Sequence, residues 1–230
     1  MKKEMYYLTA ISLMFLVSTA IAEATVITSL PYTITKKGYY TISNNLKSSQ
    51  NGIVVSADNV TIDLKGYTIS GNGIGNYYGI YMNRRSNVEI RNGTVRDFVN
   101  GIYEDSADGN SHRVINVRVF ATPDNGIYLS SSNNLIEGCT SSFSDGWGIY
   151  AGDGSLLIGN IANNNGQSGI GAGSGSTVKN NTAYYNQWYG IYLKGYSLVD
   201  GNTAYNNNQA GGYSNISTCV TCTSGTNCAP

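Results

Sequence analysis

Five tyrosines share one local setting. Tyr81, Tyr103, Tyr128, Tyr150 and Tyr192 each follow a Gly-Ile pair. A phenol carries an apolar face that stacks on a sugar ring and a hydroxyl that bonds sugar oxygens. A row of them suits a polysaccharide or another cell-surface glycan; it equally suits strands that stack ring on ring. Trp147, Trp188 and Tyr189 flank the same corner. A second set is charged: Asp63, Glu89, Arg91 and Arg113. Asp63 and Glu89 occupy similar offsets in successive segments, face outward, and would repel, raising one pKa unless an arginine neutralises it. Such a pair is the acid and base of a glycoside hydrolase. With arginine as proton acceptor it suits β-elimination by a polysaccharide lyase, and a solvated charge ladder is the plain alternative. A third set lies in Glu104-Asp105-Ser106-Ala107-Asp108-Gly109-Asn110-Ser111-His112, read as a protruding loop that holds the only histidine. Glu104, Asp105 and Asp108 offer oxygen ligands of the kind Ca²⁺ takes, and His112 adds a nitrogen. One histidine with no neighbouring Met or Cys makes a poor copper site, and ordinary turn chemistry explains the loop as well. None of these sets requires a cofactor.

The elements that position these residues follow from a repeat. Gly precedes a large apolar residue at Gly52, Gly79, Gly101, Gly126, Gly148, Gly169 and Gly190, in steps of 27, 22, 25, 22, 21 and 21 residues. Val60-Thr61-Ile62-Asp63-Leu64 and Val88-Glu89-Ile90-Arg91 alternate with period two, as strands with one buried face do. The repeat isoleucines then point inward and the tyrosines outward, in a stripe that Gly171 interrupts. A shift of 21 residues places Asn160, Asn181 and Asn202 in one column and Asn165, Asn186 and Asn207 in another, and stacked amides hydrogen-bond from coil to coil. Steps of 21–22 residues fit a solenoid of stacked coils. A leucine-rich repeat would need a Leu consensus, and a propeller needs longer blades. The Gly-rich stretch 70–78 lengthens one copy, and beside Tyr81, Asp63 and Glu89 it would wall a groove on the first three coils.

The stretch Asp58-Asn59-Val60-Thr61-Ile62-Asp63-Leu64-Lys65-Gly66-Tyr67-Thr68-Ile69-Ser70-Gly71, followed by repeated Gly-Ile-Tyr, resembles the right-handed parallel β-helix proteins of the pectin-lyase-like superfamily. Within it the chain is similar to the repeat domain of periplasmic, copper-linked accessory proteins of nitrous-oxide reductase maturation. The resemblance implies an all-β, single-stranded, right-handed parallel β-helix of about eight coils over residues 51–212. A cap at 23–50 and a Cys-containing tail at 213–230 close it. The superfamily holds lyases, hydrolases, epimerases and adhesins, so the fold does not select an activity. The chain has no Asn-Thr-Asp, Gly-His-Gly or Arg-Ile-Lys of the polygalacturonases and no Asp-Pro-His of the alginate epimerases. That favours a non-catalytic glycan-binding module over a lyase or hydrolase, with a role in metal-enzyme maturation as the further alternative.

Residues 1–22 read as a secretory signal: Lys2 and Lys3, an apolar run too short to span a bilayer, and Ala20-Ile21-Ala22 before the expected cut after Ala22. The expectation is a soluble protein in the periplasm or outside the cell. Without those residues the net charge is near −1, and only 12% of the chain is charged. No basic field exists for nucleic acid. Cys219, Cys222 and Cys228 suit one disulfide in an oxidising compartment, with the pairing open and Cys139 apart.

Overall fold

The computed structural model describes residues 24–217 and 219–229. The expected signal lies outside them. Strands and turns make up the described residues, without a helix, so none is long and apolar enough to cross a membrane. Every strand pairing is parallel, and each links one coil to the next.

Two sheets enclose the core. The first has nine strands, running from Tyr32–Ile34 through Tyr78–Met82, Asn100–Glu104, Ile127–Leu129 and Ile149–Ala151 to Ile191–Leu193 and Ile216–Ser217. It carries the Gly-Ile-Tyr repeat. The second has sixteen strands and forms the other two walls of the tube. Val88–Arg96 and Arg113–Thr122 run through both of those walls. They turn the corner at Asn92 and Asn116, whose φ values of 57° and 54° suit the asparagine side chain. About eight coils were expected and nine rungs stack. Seven rungs follow the repeat glycines and each end adds one: Tyr32–Ile34 pairs with Ile53–Val55, and Ile216–Ser217 pairs with Ile191–Leu193.

Alternation inside the strands builds the core. Ile53, Ile80, Ile102, Ile127, Ile149, Ile170 and Ile191 lie in register and are fully buried. The repeat glycine has a steric cause. A Cβ at Gly101 would strike the Val119 side chain and the Gly126 carbonyl, because adjacent coils approach too closely for a side chain there.

Two asparagine columns stitch the turns. Asn160 donates to Asn181 at 3.0 Å, Asn181 to Asn202 at 3.0 Å, and Asn202 to Asn227 at 3.0 Å. Asn165, Asn186 and Asn207 repeat the pattern and end on Asn215. Each amide also donates to a carbonyl of the coil before it, as Asn181 does to Leu157 at 2.9 Å. Amides buried this deeply must be bonded, and the 21-residue repeat bonds them identically. Cys139 heads the first column: its backbone N–H donates to Asn160 Oδ1. Burial pushes its thiol up to about 12. Of the three tail cysteines, Cys219 and Cys222 are bonded, and Cys228 is free and exposed.

Candidate functional site

The repeat tyrosines stand on the outer face of the nine-stranded sheet because strand alternation turns them away from the buried isoleucines. Tyr81, Tyr103, Tyr128 and Tyr150 are aligned coil to coil. Tyr103 stacks on Tyr128 at 5.5 Å between centroids, and Tyr128 on Tyr150 at 4.9 Å, with their planes within 22°. Tyr78 slips its ring between Tyr81 and Tyr103, at 4.7 and 5.1 Å. All are half-buried.

The expected break at Gly171 does not occur. Gly171 aligns with Tyr150 and Tyr192, and the Trp147 ring lies over it, 5.3 Å from Tyr150 and 6.0 Å from Tyr192. A Cβ at Gly171 would run into that ring. The missing tyrosine therefore makes the room that Trp147 fills. Beyond Tyr192 the row continues to Tyr189, Tyr213 and Trp188.

At that end the row becomes concave. Trp147, Trp188, Tyr189 and Tyr213 border a cleft of about 390 Å³, with Lys194 at its edge. The Tyr150 hydroxyl beside Lys194 holds its ammonium above the ordinary range. Ser168 also lines the cleft, and its buried hydroxyl has no hydrogen-bond partner among the described residues. At the other end the Tyr81 hydroxyl donates to Asp105 at 2.9 Å. Burial and that carboxylate push the Tyr81 phenol up to about 12. Burial also raises the phenols of Tyr103 and Tyr128.

The charged set sits on the other sheet. Its register corrects the expected alignment: Asp63 is opposite Arg91, Thr61 is opposite Glu89, and Glu89 is opposite Arg113. The misplacement is two residues, one pleat along the same face. Arg91 therefore bridges Glu89 at 2.9 Å and Asp63 at 3.1 Å, and Arg113 reaches Glu89 at 3.1 Å. Asp63 does not stand open to solvent, with only 3% of its surface exposed. Burial pushes its carboxyl up, but bonds from the Lys65 N–H, Tyr39, Asn92 and Arg91 outweigh it and hold the carboxyl below the usual range. The rise needed by a general acid is thus reversed at Asp63. Tyr81 belongs to the nine-stranded sheet and Asp63 and Glu89 to the other, so the tyrosines and charges do not share a face.

The 104–112 residues are divided. Glu104 is opposite Met82 and Leu129 and points into the core, fully buried. His112 is buried with it, 3.1 Å away. The His112 Nδ1 accepts the Val88 N–H, so its Nε2–H donates to Glu104, whose second oxygen accepts the Ser131 N–H. Asp105 and Asp108 lie outside, paired with Tyr81 and Arg84. Alternation along the strand sends Glu104 inward and separates it from both. Among the described residues no three of His, Cys, Asp or Glu gather as metal ligands.

Comparison with known proteins matches residues 33–177 to the right handed beta helix region family. The chain belongs to this right-handed β-helix family. The A-module of mannuronan C-5 epimerase AlgE4 from Azotobacter vinelandii has a similar structure, with a TM-score of 0.58, 14% identity and 83% of this chain covered. The AlgE6 A-module from the same organism gives 0.51, 12% and 85%. The chain spans 66% of the first module and 69% of the second. At these identities the likeness is one of fold. No curated protein matches the chain.

Within this β-helix, sequence spacing locates the tyrosine column and the Arg113–Glu89 pairing. It misses Tyr78, Tyr213, Lys194 and Ser168. Tyr78 sits immediately before a repeat glycine, as Trp147 and Tyr189 do, and that second column is the signal that finds the ring contacts.

Proposed function

We propose that the protein is a non-catalytic glycan-binding β-helix that acts outside the cytoplasm and holds a polysaccharide along the aromatic row from Tyr81 to Trp188. The observation that carries this reading is the row itself: an unbroken, half-exposed line of rings that deepens into a cleft at Trp147, Trp188, Tyr189 and Tyr213. Rings in line stack on successive sugars, and the phenol hydroxyls bond sugar hydroxyls. An interior alone would not require aromatic groups facing outward, since the buried isoleucines already close the core.

The test is affinity electrophoresis and mass spectrometry on one panel: mannuronan, pectate, and neutral β-glucans and mannans, with and without Ca²⁺. Retardation by at least one glycan, with no new oligosaccharides, is expected. Tyr128→Ala and Trp188→Ala should each weaken retention about tenfold, the cost of one lost stacking contact. Oligosaccharide products that vanish in Glu89→Gln would replace this reading with that of a lyase or hydrolase. Retention unchanged in both aromatic variants would refute the site.

A further inference from the structure

A broad groove lies on the sixteen-stranded sheet, away from the aromatic row. Its volume is about 910 Å³. Its floor comes from Leu46–Lys47, Thr68–Ser70 and the second halves of the two long strands, and residues 28–30 form one side. Three cations line it. Lys47 is opposite Ser70, and Ser70 is opposite Arg96, which places Lys47 and Arg96 two rungs or about 10 Å apart. Arg118 is opposite Thr94, on the rung beyond. The lining contains one carboxylate, Asp97, and Arg96 already binds it at 2.6 Å. Lys47 and Arg118 are exposed and form no ion pair among the described residues.

Between the cations lie three hydroxyls, those of Thr68, Ser70 and Thr94. Thr94 and Ser70 are mostly buried, but their hydroxyl oxygens remain accessible and make no hydrogen bond within the described residues. Both hydroxyls keep contact with solvent through the groove they line. Free hydroxyl donors on a floor and unpaired cations at its rim are the donor set of an oxyanion site.

We infer that this groove binds a tetrahedral oxyanion ester, sulfate or phosphate, carried on a carbohydrate chain. A tetrahedral ester group presents three outer oxygens, matching the three hydroxyls, while the cations neutralise its charge. A planar carboxylate presents two. Nucleic acid is disfavoured because the groove offers no open ring for a base: the one aromatic in its lining, Phe120, has the Arg96 guanidinium over its face at 4.8 Å. That a carbohydrate carries the ester rests on the proposed function; the oxyanion site itself does not depend on the aromatic row.

Calorimetric titration of the purified protein tests it, with five probes: a sulfated dextran oligosaccharide, a phosphorylated one, the parent dextran, oligogalacturonate, and a DNA oligonucleotide of matched charge. Binding of the sulfated or phosphorylated probe is expected, and the tighter of the two names the ester. Affinity should fall between about 50 and 200 mM salt. Arg118→Gln, Lys47→Gln and Thr94→Val should each weaken binding about tenfold, the effect of one charge-assisted or buried hydrogen bond. Arg118 and Lys47 hold no other group in place, so their variants should melt with the native protein. Tyr128→Ala should leave this binding unchanged, which separates the two sites. No binding of either ester, binding undiminished in both cation variants, or equal affinity for oligogalacturonate or DNA would each overturn the inference.

Discussion

Asp63 shows how one side chain acts when the strand beside it supplies its partners. It accepts bonds from the Lys65 N–H at 2.9 Å, Tyr39 at 2.9 Å, Arg91 at 3.1 Å and Asn92 at 3.2 Å. These favour the carboxylate over the acid and outweigh its burial. Its folded pKa therefore lies below the unfolded value of about 3.9. The stability this gives is complete above the unfolded pKa and is lost as pH falls through the folded one. Asp63→Asn should cost about 2 kcal/mol at pH 7, the effect of losing bonds to a charged acceptor. In urea melts that gap should be constant above about pH 5 and close as pH drops below about 3.9. A gap that widens in acid would mean that Asp63 is protonated in the fold. Glu104 and His112 make the opposite use of a carboxylate, enclosed in the core and satisfied by each other and by two backbone N–H groups.

At the scale of the element, each coil contributes three short strands that are too small to stand alone. Strands such as Leu156–Ile158 and Thr177–Lys179 have three residues, and their order comes from the coils above and below. The asparagine columns fix the turns between them. Asn181 Oδ1 accepts both the backbone N–H and the side-chain amide of Asn160, at 2.8 and 3.0 Å. Asn181→Ala would strand both donors in a buried turn. The expected loss is about 2–4 kcal/mol, read as a lower urea midpoint. A midpoint within about 0.5 kcal/mol of the native protein would show that the column is not a source of cohesion. The aromatic row obeys the same neighbour rule: a gap at Gly171 in one coil is filled by Trp147 of the coil before it.

For the whole molecule, a chain of coils that touch only their neighbours transmits perturbation poorly. The Cys219–Cys222 disulfide closes a loop of a few residues beside the last rung. Removing it with Cys219→Ser should cost at most about 2 kcal/mol. Hydrogen exchange should quicken at residues 216–224 and in the adjoining strand 191–193, while residues 100–104 keep native rates. Uniform acceleration along the chain would show that the solenoid unfolds as one unit. The same geometry separates the faces. The aromatic row and the hydroxyl-floored groove lie on different sheets, so occupation of one need not alter the other.

The sequence by itself determined the coil repeat, the inward isoleucines, the outward tyrosines and both asparagine columns. Each depends on a period of two along the strand or of about 21 along the chain, and a periodic signal survives without coordinates. Glu89 facing Arg113 was legible from their similar offsets after Gly79 and Gly101, because the strand that follows each repeat glycine keeps nearly the same place in its copy. Where the copies vary in length, register came from tertiary structure. The 27-residue step before Gly79 misplaced Asp63 by one pleat, and the 25-residue step after Gly101 concealed that Glu104 turns into the core with His112 while Asp105 and Asp108 stay outside. Trp147 over Gly171, and the groove of Lys47, Arg96 and Arg118, join residues from different coils with no common spacing. Such contacts are set by how loops of unequal length bring coils into contact, and only the assembled solenoid decides them.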